Sequence, residues 1–377
     1  MTGARPLRLG FAVKVLGKPG LKSNDTRRWQ NAPHLKVSLE YLNQIYDYLA
    51  DAKIDMYRMS SDLAPYATHP DMPQFHDQVA ESARDLQTVG RKARQLGLRL
   101  SFHPSQFVIL NSPDPEITRK SIRDLTSQAE ILDAMDLDPE AVIVLHVGGV
   151  YGDRVQSRAR WAKTWPTLPE PVRRRLVLEN DDLRFSAADV LWVHELTGVR
   201  LVFDYQHFWC FNPERVDMVE ALRRFLTSWS LVQRPKIHFS SPRTELREVE
   251  RTDSRTRKKS TVFLPPIFTA HADFCNPFEF IRFMRDAAGL EFDVMLEAKA
   301  KDLALLRLRA DLLRYAPDTA ARFGIVPDSP GLSGGERITS EQLDQVTGEI
   351  GPDEGADLPD QPRWADGVAQ DRPPVRT

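Results

Sequence analysis

The sequence predicts an α/β fold closed as a (β/α)8 TIM barrel, on three observations. Apolar runs alternate with helix-period segments eight times before residue 326. Those runs are nearly continuous, as in parallel strands covered on both faces. Six of them end in, or carry, His, Asp or Glu, best seen in Leu201-Val202-Phe203-Asp204-Tyr205-Gln206-His207. A closed ring lets such side chains converge at one mouth, whereas an open sheet would spread them.

In chain order, residues 7–13 form the first predicted strand. Residues 34–50 follow as a helix, with Leu35, Leu39, Leu42, Ile45, Tyr46 and Leu49 near helical period. Residues 54–60 are the second strand and 78–96 the second helix, stopped by Gly97. Strand three, 98–103, leads to a helix over 115–135 that opens on Pro115, where proline suits a first turn. Strand four is 142–146, followed by Gly148 and Gly149. A helix over 154–164, strand five at 176–179 and a helix over 186–196 come next, with Ser186 as N-cap and Gly198 as stop. Strand six is 199–204, its helix 213–229, and strand seven 236–240. Residues 242–270 break the rhythm and read as irregular. The helix 277–288, strand eight at 292–297 and the helix 301–315 close the ring. Residues 1–326 are thus expected to be one barrel domain. Residues 327–377, rich in Gly, Pro, Asp and Glu, are expected to be a disordered acidic tail.

Composition excludes several classes of protein. With 377 residues, 41% hydrophobic and 28% charged, the chain is of ordinary globular type. It has no signal-like apolar core and no run approaching the roughly 18 apolar residues of a membrane span, so a cytoplasmic location is expected. Cys210 and Cys275 have no Cys-x-x-Cys spacing, which leaves His, Asp and Glu to hold any metal. The net charge of −2 hides an asymmetry: residues 1–327 carry 47 basic and 42 acidic side chains, and the remainder 4 and 11. A mildly basic body permits a nucleic-acid partner without demanding one.

Of nine histidines, His103, His146, His207, His238 and His271 sit on or just beyond strand ends. With Glu179, Asp204 and Glu297 they supply enough N and O ligands for two or three divalent ions sharing carboxylates. Any one of these residues could be a satisfied buried polar group, but that explanation serves poorly for all of them together. Lys236 lies two residues before His238 and so faces the same way. Beside several cations its amine should lose its proton or be carbamylated, unless it simply binds phosphate. Gln106 and Phe107 follow strand three, an amide and a ring suited to wedging into a base stack. An exposed-loop Phe more commonly packs back onto its own domain. Arg255, Arg257, Lys258 and Lys259 fall after strand seven, where phosphate contact at the same mouth competes with a solvated loop face.

Nine motifs then bear on family. They are Arg58-Met59-Ser60-Ser61, His69-Pro70, Phe102-His103-Pro104-Ser105-Gln106-Phe107, His146-Val147-Gly148-Gly149, Leu178-Glu179-Asn180-Asp181, Phe203-Asp204-Tyr205-Gln206-His207, Lys236-Ile237-His238-Phe239-Ser240-Ser241, His271-Ala272-Asp273-Phe274 and Leu296-Glu297-Ala298-Lys299. In this order and spacing the chain, from about residue 7 to 324, resembles the UV damage endonucleases, on a xylose isomerase-like barrel related to endonuclease IV.

The resemblance implies an ion on His103, His146 and Glu179, a second on Glu179, Asp204, His238 and Glu297, and a third on His207 and His271, assisted by modified Lys236. Mn2+ is implied, with Mg2+ or Zn2+ as alternatives. Glu179, Lys236 and His69 would be catalytic, His69 lying near the scissile phosphate. Gln106 and Phe107 would probe the duplex opposite the lesion, and Phe11 would stand at a DNA-contacting aromatic position. Phe107 and Phe11 depart from the family's common tyrosines. Stacking survives that change, whereas a hydrogen bond from a phenol hydroxyl to phosphate does not.

The implied reaction is hydrolysis of the phosphodiester 5′ to cyclobutane pyrimidine dimers and 6-4 photoproducts, with abasic sites a further candidate. It would be carried out by a nucleoid-associated monomer on damaged duplex DNA. The rival readings are a metal-dependent sugar isomerase and a non-catalytic damage-binding protein.

Overall fold

The computed structural model describes residues 5–230, 233–252, 256–331 and 339. Twelve strands occur among them: β1 (Leu9–Ala12), β2 (Met56–Arg58), β3 (Arg99–Phe102), β4 (Val142–His146), β5 (Leu176–Glu179), β6 (Arg200–Asp204), β7 (Lys236–Phe239), β8 (Pro242–Arg243), β9 (Arg247–Thr252), β10 (Lys259–Leu264), β11 (Ile267–His271) and β12 (Asp293–Leu296). Eight of them close a parallel ring in the order β1, β12, β7, β6, β5, β4, β3, β2. The TIM barrel expected from the sequence is the fold found.

Period-two alternation decides what the barrel interior holds. On β4 the side chains of Val142, Val144 and His146 share one phase, and the register sets Val177 beside Val144 and Glu179 beside His146. Val142, Val144, Val177, Val202 and Trp229 form a buried cluster separate from the main core between strands and helices. The Trp229 indole donates to the Leu201 carbonyl at 2.7 Å, and Arg99 and Arg200 lie over its ring. Apolar packing thus fills the barrel beneath its polar upper end.

At the opposite end, buried Asp293 accepts from the Arg8 amide at 2.9 Å and from the Arg99 guanidinium at 2.8 Å, with Arg8 Nη1 at 3.2 Å. The network joins β12, β3 and the residue before β1, bracing the ring across its interior. Asp293→Ala leaves the buried Arg99 guanidinium without its ion pair and Arg8 with Glu140 and Asp55 alone, and is expected to cost about 3–5 kcal/mol. Urea unfolding of both proteins measures this, and a loss under about 1 kcal/mol would contradict the bracing role.

Four expectations need correction. Residues 242–270 are not irregular: β9 and β10 pair antiparallel as a hairpin, and β8 pairs with β11. The alternation in these strands is masked in sequence by their many charges, and their described side chains are largely exposed. The helix expected over 78–96 is two segments, Gln78–Glu81 and Ala83–Gln95, broken at Ser82. The helix expected over 213–229 is Met218–Thr227, begun by the Asp217 carboxylate on the Glu220 amide. Phe11 is wholly buried and meets Tyr57 edge-on at 5.4 Å. Its neighbour Gly10 takes the inward phase, packed so closely on Met56 that a Cβ would lie 2.7 Å from Met56 Cγ. Phe11 therefore packs in the main core and presents no surface to DNA.

Gly97 and Gly198 do end their helices, with φ of +66° and +72°. Short helices at Glu170–Arg175 and Tyr205–Cys210 were not anticipated. The expected disordered tail lies outside the described residues beyond 331, save residue 339.

Candidate metal centre

The strand ends bring the predicted ligands together. His103 follows β3, His146 ends β4, Glu179 ends β5, Asp204 ends β6, His238 lies within β7, His271 ends β11 and Glu297 follows β12. His207 arrives differently. Asp204 caps the helix Tyr205–Cys210 by accepting the His207 amide at 2.6 Å, and this turns the imidazole back over the mouth.

Glu179 is the hub. Its Oε2 lies 3.1 Å from His103 Nε2 and 3.6 Å from His146 Nε2, and its Oε1 lies 2.7 Å from His238 Nδ1 and 3.8 Å from His207 Nδ1. Glu297 Oε1 is 3.3 Å from His238 Nδ1, and its Oε2 is 3.7 Å from His271 Nε2. Two groupings of potential ligand atoms, each within 4.8 Å, are His103, His146 and Glu179, and Glu179, Asp204, His238 and Glu297. A third joins His103, His238 and Glu297. The His207 and His271 rings lie 5.9 Å apart, and neither belongs to such a group of three among the described residues.

The donor set suits a divalent cation. Asp204 Oδ2, His238 Nε2 and His146 Nδ1 are buried with no hydrogen-bond partner, a costly arrangement for polar atoms that lack another ligand. The electrostatics agree. Burial pushes the Asp204 carboxyl up to about 7, with Glu179 and Glu297 adding and His207 opposing. Burial works against the His207 imidazolium, but Asp204, Glu179 and Glu297 outweigh it and raise His207 to about 10. Burial would raise Glu179 too, yet His238 and His146 hold it well below the usual carboxylate range.

Ligation needs a neutral imidazole and an ionised carboxylate, so a cation that took Asp204 and His207 as ligands at about pH 7 would expel the His207 proton and part of one from Asp204. Apparent Mn2+ affinity should therefore strengthen from about pH 6 to about pH 8. Titration calorimetry in buffers of different ionisation enthalpy reads the released protons, and binding without proton release would contradict this assignment.

Lys236 is buried with its Nζ donating to Ser101 Oγ at 3.0 Å. Burial, then Arg99 and Arg58, push its amine well below the ordinary lysine range against Glu179 and Glu297. A neutral amine within the field of Glu179 and Glu297 is the form that can accept a carboxyl group or hold a proton.

The other predicted residues lie at the rim. Gln106 is exposed, and Phe107 is 74% exposed, so its ring does not pack back onto the domain. His69 stands apart from the ligand groups, lining a cleft of about 510 Å3 with Thr26, Asp62, Ser105 and Asp124. Arg257, Lys258 and Lys259 are exposed beyond the β9–β10 hairpin's paired residues or at its start, and Lys259 pairs with Glu250 at 3.0 Å.

Sequence reasoning assigned no role to several residues that the structure brings to the site. Arg58 donates to Glu297 Oε1, and its place at the end of β2 in an inward phase was the available signal. Asn180 bridges β5 and β6, accepting the Asp204 amide at 2.9 Å and donating to the Asp204 carbonyl at 3.0 Å. Gln206 Oε1 accepts from Ser240 and lies 3.0 Å from His271 Nδ1, while its Nε2 donates to the Phe268 and Ala270 carbonyls.

A parallel barrel with buried imidazoles and carboxylates gathered at the C-terminal ends of its strands has the architecture of a metal-assisted TIM-barrel enzyme. The family model described as UV-endonuclease UvdE matches residues 25–321. The UV DNA damage endonuclease of Bacillus velezensis is 34% identical over 283 residues, covering 74% of this chain and 81% of that protein. Its counterpart in Bacillus pumilus is 35% identical over 260 residues, covering 69% and 75%. A solved structure described as SacUVDE superposes with a TM-score of 0.68 at 28% identity, over 83% of this chain and 99% of that one. A candidate xylose isomerase from Rhodospirillum rubrum shares the barrel at a TM-score of 0.50 and 15% identity, over 90% and 96%, a likeness of fold alone.

The chain belongs to the UV-endonuclease UvdE family, the DNA endonucleases of UV-damage repair. The sugar-isomerase and non-catalytic readings give way to this membership. Among the described residues no helix is long and apolar enough to cross a membrane.

Proposed function

We propose that the protein incises the phosphodiester 5′ to cyclobutane pyrimidine dimers and 6-4 photoproducts in duplex DNA, and also accepts abasic sites, using two or three Mn2+ ions. The observation that carries this reading is one short stretch: His103, against the hub carboxylate, stands four residues before Phe107, the most exposed large apolar side chain among those described. Distortion probing and hydrolysis would thus be joined through a single loop.

His103, His146 and Glu179 would hold one ion and Glu179, Asp204, His238 and Glu297 another, with His207 and His271 beside Lys236 as the third position. Bound there, the ions would supply Lewis-acid stabilisation of phosphate charge and a nucleophilic water near neutral pH. The chain's own residues do the rest. Arg58 stabilises Glu297, Asn180 fixes Asp204, and Lys236, as the neutral amine or its carbamate, takes a proton within the site. Gln106 and Phe107 enter the stack, and a weakly stacked lesion costs less to kink and turn out than intact DNA. His69, which lines the cleft beside Pro104 and Ser105, would meet the scissile phosphate. Arg257, Lys258 and Lys259 contact the DNA backbone.

Phe107→Ala should weaken binding of damaged duplex by about 1–3 kcal/mol, roughly 5- to 150-fold, with metal content unchanged. Fluorescence anisotropy measures the loss, and wild-type affinity would remove Phe107 from the probing role. The reaction itself is tested on end-labelled duplexes carrying one defined dimer, one 6-4 photoproduct or one abasic site, with Mn2+ or with EDTA. A metal-dependent cut immediately 5′ to the lesion, leaving a 3′-hydroxyl, is expected. A cut on the 3′ side, or equal cutting of undamaged duplex, would overturn the proposal.

A further inference from the structure

In the barrel ring β3 and β7 are four places apart among eight strands, and therefore stand on opposite sides of the mouth. Phe107 rises from the loop after β3. The segment β8–β11 rises after β7, directly across from it. This second segment has the composition of a surface that meets a partner. Leu246, Phe263 and Phe268 are each more than 60% exposed, and Ile267 is 39% exposed, on or beside three consecutive strands. Residues 243–259 carry seven basic and four acidic side chains, and four of the seven fall within 255–259.

The segment is tied to the metal centre. Arg247 Nη2 donates to Asp273 Oδ1 at 2.6 Å, two residues beyond His271. Gln206 Nε2 donates to the Phe268 carbonyl at 2.9 Å and to the Ala270 carbonyl at 3.1 Å, while Gln206 Oε1 meets the His271 imidazole. Pro265 and Pro266 stiffen the link between β10 and β11. The strand that carries Phe268 is therefore held by the same side chain that orients a candidate ligand.

We propose that β8–β11 is a second DNA-contacting arm, in which Phe263 and Phe268 pack against base or sugar edges flanking the lesion, on the side of the mouth opposite Phe107. The inference rests on the proposed reaction and deepens it. The occupant follows from position and charge: the arm ends in His271 and is hydrogen-bonded to Gln206 beside the centre of a DNA endonuclease, and its basic residues match a phosphate backbone. Aromatic rings beside such residues gain stacking energy from nucleobases without reading sequence. Duplex held between two opposed contacts would be bent across the metal centre.

Single-turnover incision of a photoproduct duplex by the Mn2+-loaded full chain, titrated with enzyme, separates binding from chemistry. The Phe263→Ala/Phe268→Ala double variant is expected to raise the half-saturating concentration at least tenfold while the limiting rate stays within threefold. Its metal content and thermal melting should match the wild type, and Phe268→Tyr alone should keep near-wild-type half-saturation. Lys258→Ala/Lys259→Ala should flatten the salt dependence of binding, which the double Phe variant should leave unchanged. Unchanged half-saturation in a folded, metal-loaded double variant would overturn the arm. So would a concentration-dependent dimer that the double variant abolishes without any effect on DNA binding, since the patch would then join two copies of this chain. If the wild type failed to incise, the proposed reaction would fall by itself. Anisotropy on the same duplex would then judge the arm, a tenfold loss supporting it and equal affinity refuting it.

Discussion

Glu179→Gln is expected to reduce incision of damaged DNA by roughly 10^3-fold, on the order of 4 kcal/mol in the barrier. Glu179 has no exposed surface, and its two oxygens serve different neighbours, His103 and His146 on one side and His238 on the other. It belongs to both main groupings of ligand atoms. Glutamine preserves volume but removes the charge that both groupings share, so both should lose affinity together. The variant should melt near the wild-type temperature and bind at least one Mn2+ fewer, read by elemental analysis after gel filtration. Wild-type incision by Glu179→Gln would mean that the hub carboxylate has no part in the reaction.

Lys236→Ala is expected to lower incision about 10^2- to 10^3-fold, by removing a group whose protonation state the site controls. Burial and two guanidinium groups favour its neutral amine, which can add to carbon dioxide to give a carbamate and a proton. A carbamate would add one more carboxylate to the donor set. Chemical rescue separates this from a plain amine. Propionate should restore part of the activity of Lys236→Ala, and propylamine should restore little. Rescue by the amine and not the acid would assign the unmodified lysine, and full activity without either would remove Lys236 from catalysis.

The sequence made the barrel and most of the centre legible for one physical reason: parallel strands buried on both faces read as apolar runs, and each run ends in the residue it delivers. His103, His146, Glu179 and Asp204 were visible in this way. His238 was visible inside its own apolar run, and its phase in turn placed Lys236. Arg58, Asn180 and Gln206 were harder, because each acts by a hydrogen bond to a residue distant in sequence and an amide or guanidinium at a strand end has many ordinary uses. Phe11 was misplaced because its role was carried over from the family resemblance, while strand alternation sends its ring outward into the core. Residues 247–264 looked irregular because an exposed ribbon needs no apolar face, so the hairpin leaves little hydrophobic pattern to read.

Whether the imidazole and carboxylate ring holds the ions responsible for incision is read from anomalous diffraction at the manganese edge from Mn2+-soaked crystals. One peak is expected among His103, His146 and Glu179 and a second among Glu179, Asp204, His238 and Glu297, with the Glu179→Gln variant losing density at both. Strong peaks elsewhere and none at this ring, from crystals whose dissolved protein nicks irradiated DNA, would contradict that placement.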